Sequence, residues 1–317
     1  MIMITETLLL PCPFPDRSHP GAGIAADHVR QVAAEIELTG PSSAKVLHGI
    51  ALGEAAALTY PDTDQERLQV ATLWIAFLVL FDDAWSDLVE IDGDWRQRVL
   101  AEHAVIREVL DGRPAGPADG PLVRLLQRIL DEIRGIDPSF DTSRLRGEIS
   151  NYLAATLWEV ELRSRGLIPD LSSYLFMRRV FSTMTVQVEL DYFVDRLHLP
   201  EPVRQHPCLR LVDAAVADYG CIANDLYSLD AERRAGVTSN IVIILEHEYG
   251  WTEERALAHA VRLAEQALAT YQEVSADPGR FGLPDNEAVR RYLHHYESFM
   301  SAAVRWPARS ARYRSQS

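Results

Sequence analysis

The sequence predicts an all-α protein, on three observations. Apolar residues recur at helical spacing along almost the whole chain, no stretch sustains the alternation of a half-buried strand, and turn residues such as Pro138, Pro169, Pro200 and Gly236 punctuate the pattern. An N-terminal segment, residues 1–22, carries Pro and Gly, and helices are expected after it over 25–38 and 43–58. The next helix begins near Arg67. There Val70, Leu73, Trp74, Phe77, Leu78 and Phe81 follow i, i+3, i+4, i+7, i+8 and i+11 and make one apolar stripe. Further helices are expected over 95–110, 120–134, 140–165, 170–196, 208–233, 237–248, 252–275 and 284–303. About eleven helices without a repeat of solenoid period indicate a bundle or barrel with a central apolar cavity. The strongest break, DGRPAGPADGP at 111–121, has the length of an ordinary helix-to-helix loop, and composition does not shift across it. The whole chain, 1–317, is therefore expected to be one domain.

Composition narrows the function. With 317 residues, 47% of them hydrophobic, the chain can bury a large core. A formal net charge of −15 repels nucleic acid and anionic lipid, so neither is an expected partner. No run approaches the ~20 apolar residues of a membrane span. The start MIMITETLLLPCPFP has no leading basic residue, is interrupted by Glu6 and offers no small-residue cleavage site, so no signal peptide is expected. Cys12, Cys208 and Cys221 are scattered without a CxxC spacing, which fits a reducing cytoplasm. A homodimer is left open.

Two polar clusters interrupt this pattern. In FLVLFDDAWSD, residues 77–87, Asp83 and Asp87 lie one helical turn apart and Asp82 sits 100° round from Asp83. Like charges so placed destabilise a helix, and a divalent cation with oxygen ligands would compensate them. A solvated acidic helix end is the plainer alternative. Against it, Val79, Ala76, Ile75 and Thr72 behind the carboxylates are small or aliphatic, whereas Phe77 and Phe81 point into core. In CIANDLYSLDAE, Asn224, Ser228 and Glu232 are spaced i, i+4, i+8 and stack an amide oxygen, a hydroxyl and a carboxylate on one helix face. Such a set suits a hydrated Mg²⁺ with open positions; the alternative is a polar stripe facing water. The same face runs back through Cys221, Gly220 and Ala217, as a cavity wall would. Asp225 lies off that face and is a supporting candidate.

DDAWSD at 82–87 resembles the DDxx(x)D motif, and NDLYSLDAE at 224–232 the ND(L/I/V)xSxxxE motif, of bacterial class I terpene synthases. Arg312-Tyr313, in RWPARSARYRS, is similar to that family's C-terminal Arg-Tyr pair, and the resemblance covers essentially the whole chain. It implies an α-helical barrel whose two motifs bind three Mg²⁺ ions that hold the diphosphate of a linear isoprenoid. By the same resemblance Asp82, Asp83 and Asp87, with Asn224, Ser228 and Glu232, would ligate metal, and Arg178 or its neighbour Arg179 would sense diphosphate. Arg312 and Tyr313 would donate hydrogen bonds to it once the segment 308–317, mobile before binding, closes over the site. The family commonly carries a glycine at a helix break after the sensor. Here Ser182 or Thr183 stands in that place, and Ser182 is the candidate for substrate contact. Phe176, Phe181, Tyr152, Trp158 and Trp306 are candidates to line the cavity.

The activity so implied is Mg²⁺-dependent ionisation of an isoprenyl diphosphate and cyclisation of the cation, with farnesyl diphosphate giving a sesquiterpene. A diterpene synthase using geranylgeranyl diphosphate is the alternative substrate reading. A chain-elongating prenyltransferase would carry a second aspartate-rich motif, and a class II cyclase a DxDD motif that DTDQ at 62–65 does not supply. A non-catalytic helical scaffold binding a cation or partner through its acidic patches is the rival from another class.

Overall fold

The computed structural model describes residues 10–38, 51–82, 84 and 93–310. Among them there is no strand, and twelve helices of eight residues or more follow in order: α1 (Ala22–Glu35), α2 (Leu52–Thr59), α3 (Gln65–Phe81), α4 (Trp95–Leu110), α5 (Pro121–Ile136), α6 (Ser143–Ser164), α7 (Leu171–Phe181), α8 (Met184–Val194), α9 (Pro207–Ala235), α10 (Ile241–Tyr249), α11 (Glu253–Ala276) and α12 (Glu287–Arg309). No helix among the described residues is long and apolar enough to cross a membrane.

Local chemistry sets the helix ends. Asp64 opens α3 by accepting the Arg67 N–H at 3.0 Å, so the acidic DTDQ stretch caps a helix. Asp170, Asn240 and Asn286 cap α7, α10 and α12 in the same way. Pro121 and Pro207 occupy the first positions of α5 and α9, where a missing N–H does no harm. At the far end of α9 Gly236 adopts φ 72°, a left-handed conformation that glycine enters without a Cβ penalty.

The helices bury two apolar clusters. One gathers α3 with α1, α5 and α6, with Phe77 and Phe81 deep inside as expected. The other gathers α9 with α10, α11 and α12. The N-terminal segment straps α12 to the rest: Phe14 packs edge-on against Tyr271, and the carbonyls of Phe14 and Pro15 accept from Arg305 and Ser301, each at 3.0 Å.

Three expectations change. The helix expected over 170–196 is two helices, broken at Ser182–Thr183, because Thr183 takes φ 66°, ψ 13°. A β-branched residue there costs on the order of 1–2 kcal/mol. The Thr183 hydroxyl donates to the Ser182 carbonyl at 2.5 Å, and its own carbonyl accepts the Gln187 N–H at 2.8 Å. Second, α12 runs six residues beyond 303 to Arg309, with Ala308 and Arg309 exposed and Ser310 buried after them. Residues 311–317 lie outside the described residues. Third, the helix expected over 43–58 is described only as Leu52–Thr59.

One buried ion cluster stands out. His295 of α12 sits between Asp191 (Nε2 to Oδ2, 3.0 Å) and Asp195 (Nδ1 to Oδ2, 2.6 Å) and stacks on Tyr60. Burial alone would depress its pKa, but the two carboxylates outweigh burial and hold it up to about 10, so the imidazolium is the resident form. Its contribution to stability is complete below the ordinary histidine value of about 6.5 and is lost as pH rises through 10. Urea unfolding of the wild type is therefore expected to show stability falling between pH 7 and pH 10. His295→Gln, which leaves the buried Asp191 and the partly buried Asp195 without their shared cation, is expected to lose about 3 kcal/mol at pH 7 and to lack that decline.

Candidate functional site

A cavity of about 480 Å³ opens between α3 and α9. From α3 come Ala71, Ile75, Leu78, Val79 and, at the helix end, Asp82. Across from them α9 contributes Gly220, Cys221, Asn224, Ser228 and Glu232, all on the face predicted from the i, i+4, i+8 spacing. The α7–α8 junction adds Arg178, Phe181, Ser182 and Thr183, and α12 closes the wall with Phe299, Ala302 and Trp306. Gly220 allows a close approach there, since a Cβ would lie 3.0 Å from the Phe299 ring and the ring would have to shift.

The polar rim is tied together from behind. Arg178 is 11% exposed; its Nη2 donates to Asn224 Oδ1 and to Asp225 Oδ1, both at 2.7 Å, while its Nε reaches Asp225 Oδ1 at 3.1 Å. Asp225 also accepts the Tyr174 hydroxyl and the Ile241 N–H, so one carboxylate joins α7, α9 and α10. Burial would weaken the Arg178 charge, but Asp225 more than compensates and keeps it cationic. Ser228 Oγ donates to the Asn224 carbonyl at 2.8 Å. Glu232 Oε2 accepts from Asn240 Nδ2 at 2.7 Å, and the same amide donates to the Asp225 carbonyl. Opposite them, Asp82 Oδ1 accepts the Tyr152 hydroxyl at 2.7 Å.

This donor set suits a hard divalent cation. Asn224, Ser228 and Glu232 present amide, hydroxyl and carboxylate oxygens in one row facing the cavity. Burial first, and the neighbouring Asp225 charge second, push the Glu232 carboxyl up to about 7, outweighing the opposite pull of Arg178, Asn240 and Ser228. The row thus holds a carboxylate short of positive charge. Among the described residues no three His, Cys, Asp or Glu side chains form a ligand group. A cation here would need the amide and hydroxyl oxygens as well.

Other expected residues fall into three groups. Asp82, Asn224, Ser228, Glu232, Arg178 and Ser182 line one cavity. Asp83, Asp87, Arg312 and Tyr313 lie outside the described residues. Arg179, one residue from Arg178 and so 100° round the helix, turns away: it forms a paired ion bridge with Asp218 at 2.7 Å and borders a different cavity. Of the aromatic candidates, Phe181 and Trp306 line the chamber. Phe176 is 69% exposed, Tyr152 touches Asp82, and Trp158 packs behind Phe181. Ile75 and Val79 line the cavity as expected, whereas Thr72 and Ala76 are buried in the core and Ala71 and Leu78 take their place. Tyr60 and Gln187 also line it without having been anticipated, for neither carries a motif.

An all-α barrel of this kind is a known architecture. Linalool/nerolidol synthase from Streptomyces clavuligerus in complex with 2-fluorogeranyl diphosphate superposes with a TM-score of 0.82 over 96% of this chain and 99% of that one, at 20% identity. A point variant of cucumene synthase gives 0.79 over 96% and 100%, at 24% identity. In sequence, residues 73–270 match terpene synthase family 2, C-terminal metal binding. The terpentetriene synthase of Kitasatospora griseola is 30% identical over 308 residues, covering 94% of this chain and 96% of that protein. The (+)-T-muurolol synthase of Roseiflexus castenholzii, named as cyclising (2E,6E)-farnesyl diphosphate, is 26% identical over 95% and 92%. The chain belongs to this terpene synthase family. It is a terpene synthase, and the scaffold and chain-elongation readings fall away.

The Arg178–Asp225 pair yields a stability prediction. Asp225→Ala, which leaves a guanidinium buried and unpaired, is expected to lose about 3–5 kcal/mol in urea denaturation. Arg179→Ala, which removes a half-buried pair, is expected to lose about 1 kcal/mol or less.

Proposed function

We propose that the chain ionises farnesyl diphosphate with Mg²⁺ and cyclises the resulting allylic cation to a C15 terpene, working as one catalytic domain. The observation that carries this reading is the placement of Asp82 on one helix and the Asn224–Ser228–Glu232 row on another, facing a single cavity whose remaining wall is largely apolar. Relatives named for sesquiterpene products, such as the (+)-T-muurolol synthase, favour the C15 substrate over the C20 alternative.

In this reading Asn224, Ser228 and Glu232 would hold one Mg²⁺, and Asp82, supported by Asp83 and Asp87, would hold two more. When bound, the ions neutralise the negative charge that develops on the diphosphate as its C–O bond ionises. Arg178, pre-oriented by Asp225, offers its guanidinium to diphosphate oxygens, a role suited to a planar donor that does not lose its charge. Ser182 borders the same space. Arg312 and Tyr313 add hydrogen bonds as the C-terminal segment closes. The walls from α3 and α12 exclude water from the cation until the carbon skeleton has formed. No external side-chain base is required, since released diphosphate can accept the final proton.

Incubation with the C10, C15, C20 and C25 diphosphates, with diphosphate release and extract mass both measured, tests the reading. Turnover is expected chiefly with the C15 substrate and is expected to vanish on chelation of Mg²⁺. Asn224→Ala and Glu232→Gln are each expected to slow release by about 10²–10³-fold while keeping the helical circular dichroism of the wild type. Release that is indifferent to chelator and to both substitutions contradicts it.

A further inference from the structure

The chamber has a second polar end. Asp82 and Arg178 sit at the C-terminal ends of α3 and α7. At the other end of α3, seventeen residues of helix away, Tyr60 precedes the Asp64 cap, and it lines the same cavity together with Gln187 of α8. The Tyr60 hydroxyl donates to Asp191 Oδ1 at 2.6 Å and accepts from Gln187 Nε2, which also donates to Asp191 Oδ1 at 2.8 Å. Gln187 thus spends its Nε2 on Tyr60 and Asp191 and itself lines the cavity. Behind this pair lie Asp191, His295 and Asp195, two carboxylates around one imidazolium. A further carboxylate, Asp213, lies beyond on the Tyr292 and Tyr296 hydroxyls at 2.8 Å. Asp191, Asp195 and the His295 imidazolium together carry one net negative charge, and Tyr60 and Gln187 stand between them and the cavity.

Burying such a group is costly, and an all-apolar floor would pack as well. What distinguishes this floor chemically is its field. A cation formed beside diphosphate is held at the mouth by the diphosphate charge, whereas cyclisation moves positive charge along the chain toward the other end. An anionic group, an amide oxygen and a tyrosine ring at that end favour the charge there, and low-dielectric walls keep the attraction from being screened. We propose that Gln187 and Tyr60, backed by the Asp191–His295–Asp195 cluster, form an electrostatic floor that draws the cation away from the diphosphate end and so determines which product forms. Both are specificity-determining residues for the reaction proposed above, and the inference rests on that reading.

The test compares wild type, Gln187→Leu and Tyr60→Phe with farnesyl diphosphate and Mg²⁺, reading initial rates of diphosphate release beside the product profile by gas chromatography–mass spectrometry. The substitutions are expected to raise the ratio of acyclic to cyclised C15 products at least fivefold, and to slow diphosphate release by a smaller factor. Should Gln187→Leu lose its circular dichroism signal, Asp191→Asn, which removes the net charge of the floor at constant shape, decides. An unchanged product ratio in folded Gln187→Leu or Asp191→Asn overturns the floor while leaving the terpene synthase reading intact, and so does a loss of all products in step with diphosphate release. A wild type that releases no diphosphate overturns the parent reading and this one with it.

Discussion

A guanidinium buried against a carboxylate holds the mouth of the cavity together. Arg178 and Asp225 join the end of α7 to the middle of α9, and Asp225 reaches on to the first N–H of α10. Within a low-dielectric interior neither charge tolerates the loss of its partner, which makes the pair a rigid joint. Its consequence for the site is orientation: Arg178 fixes the Asn224 amide with its oxygen engaged, and Asn240, bound to the same backbone turn, fixes Glu232. Immediately after this joint the chain breaks its helix at Thr183 and re-enters it in a new direction. The strained residue is buried, and its carbonyl accepts the Gln187 N–H in the first turn of α8.

The same architecture separates two chemistries along one cavity. At the mouth, oxygen donors and a guanidinium gather around the place where a diphosphate would sit. The middle is aliphatic, from Ala71, Ile75 and Val79 on α3 to Ala302 on α12. At the far end charge returns, in the imidazolium clamped by Asp191 and Asp195. Such an arrangement suits a reaction that begins by separating charge and must then manage a cation in the absence of water.

Much of this was legible in the chain. The stripe from Val70 to Phe81 and the i, i+4, i+8 row from Asn224 to Glu232 depend only on helical geometry, and both appear where the spacing puts them. The choice between Arg178 and Arg179 was not, since adjacent arginines are alike in sequence and only the positions of Asp225 and Asp218 on a helix about 40 residues later separate them. Periodicity alone runs one helix through 170–196, because Thr183 carries no local sign of a positive φ; only the family resemblance points to a break at Ser182 or Thr183, where it lies. The floor was hidden for a different reason. Tyr60, Gln187 and His295 come from three distant segments, and each alone reads as an ordinary residue of a helix or its flank.

The central claim is that oxygen donors on α3 and α9 serve one metal–diphosphate group across the cavity mouth. Calorimetric titration of inorganic diphosphate into the protein tests it without any catalytic turnover. The account predicts binding that requires Mg²⁺ and weakens at least tenfold in Asp82→Asn and in Glu232→Gln alike, since either helix alone is half a site. Binding that proceeds without Mg²⁺, or that is untouched by one of the two substitutions, would contradict it.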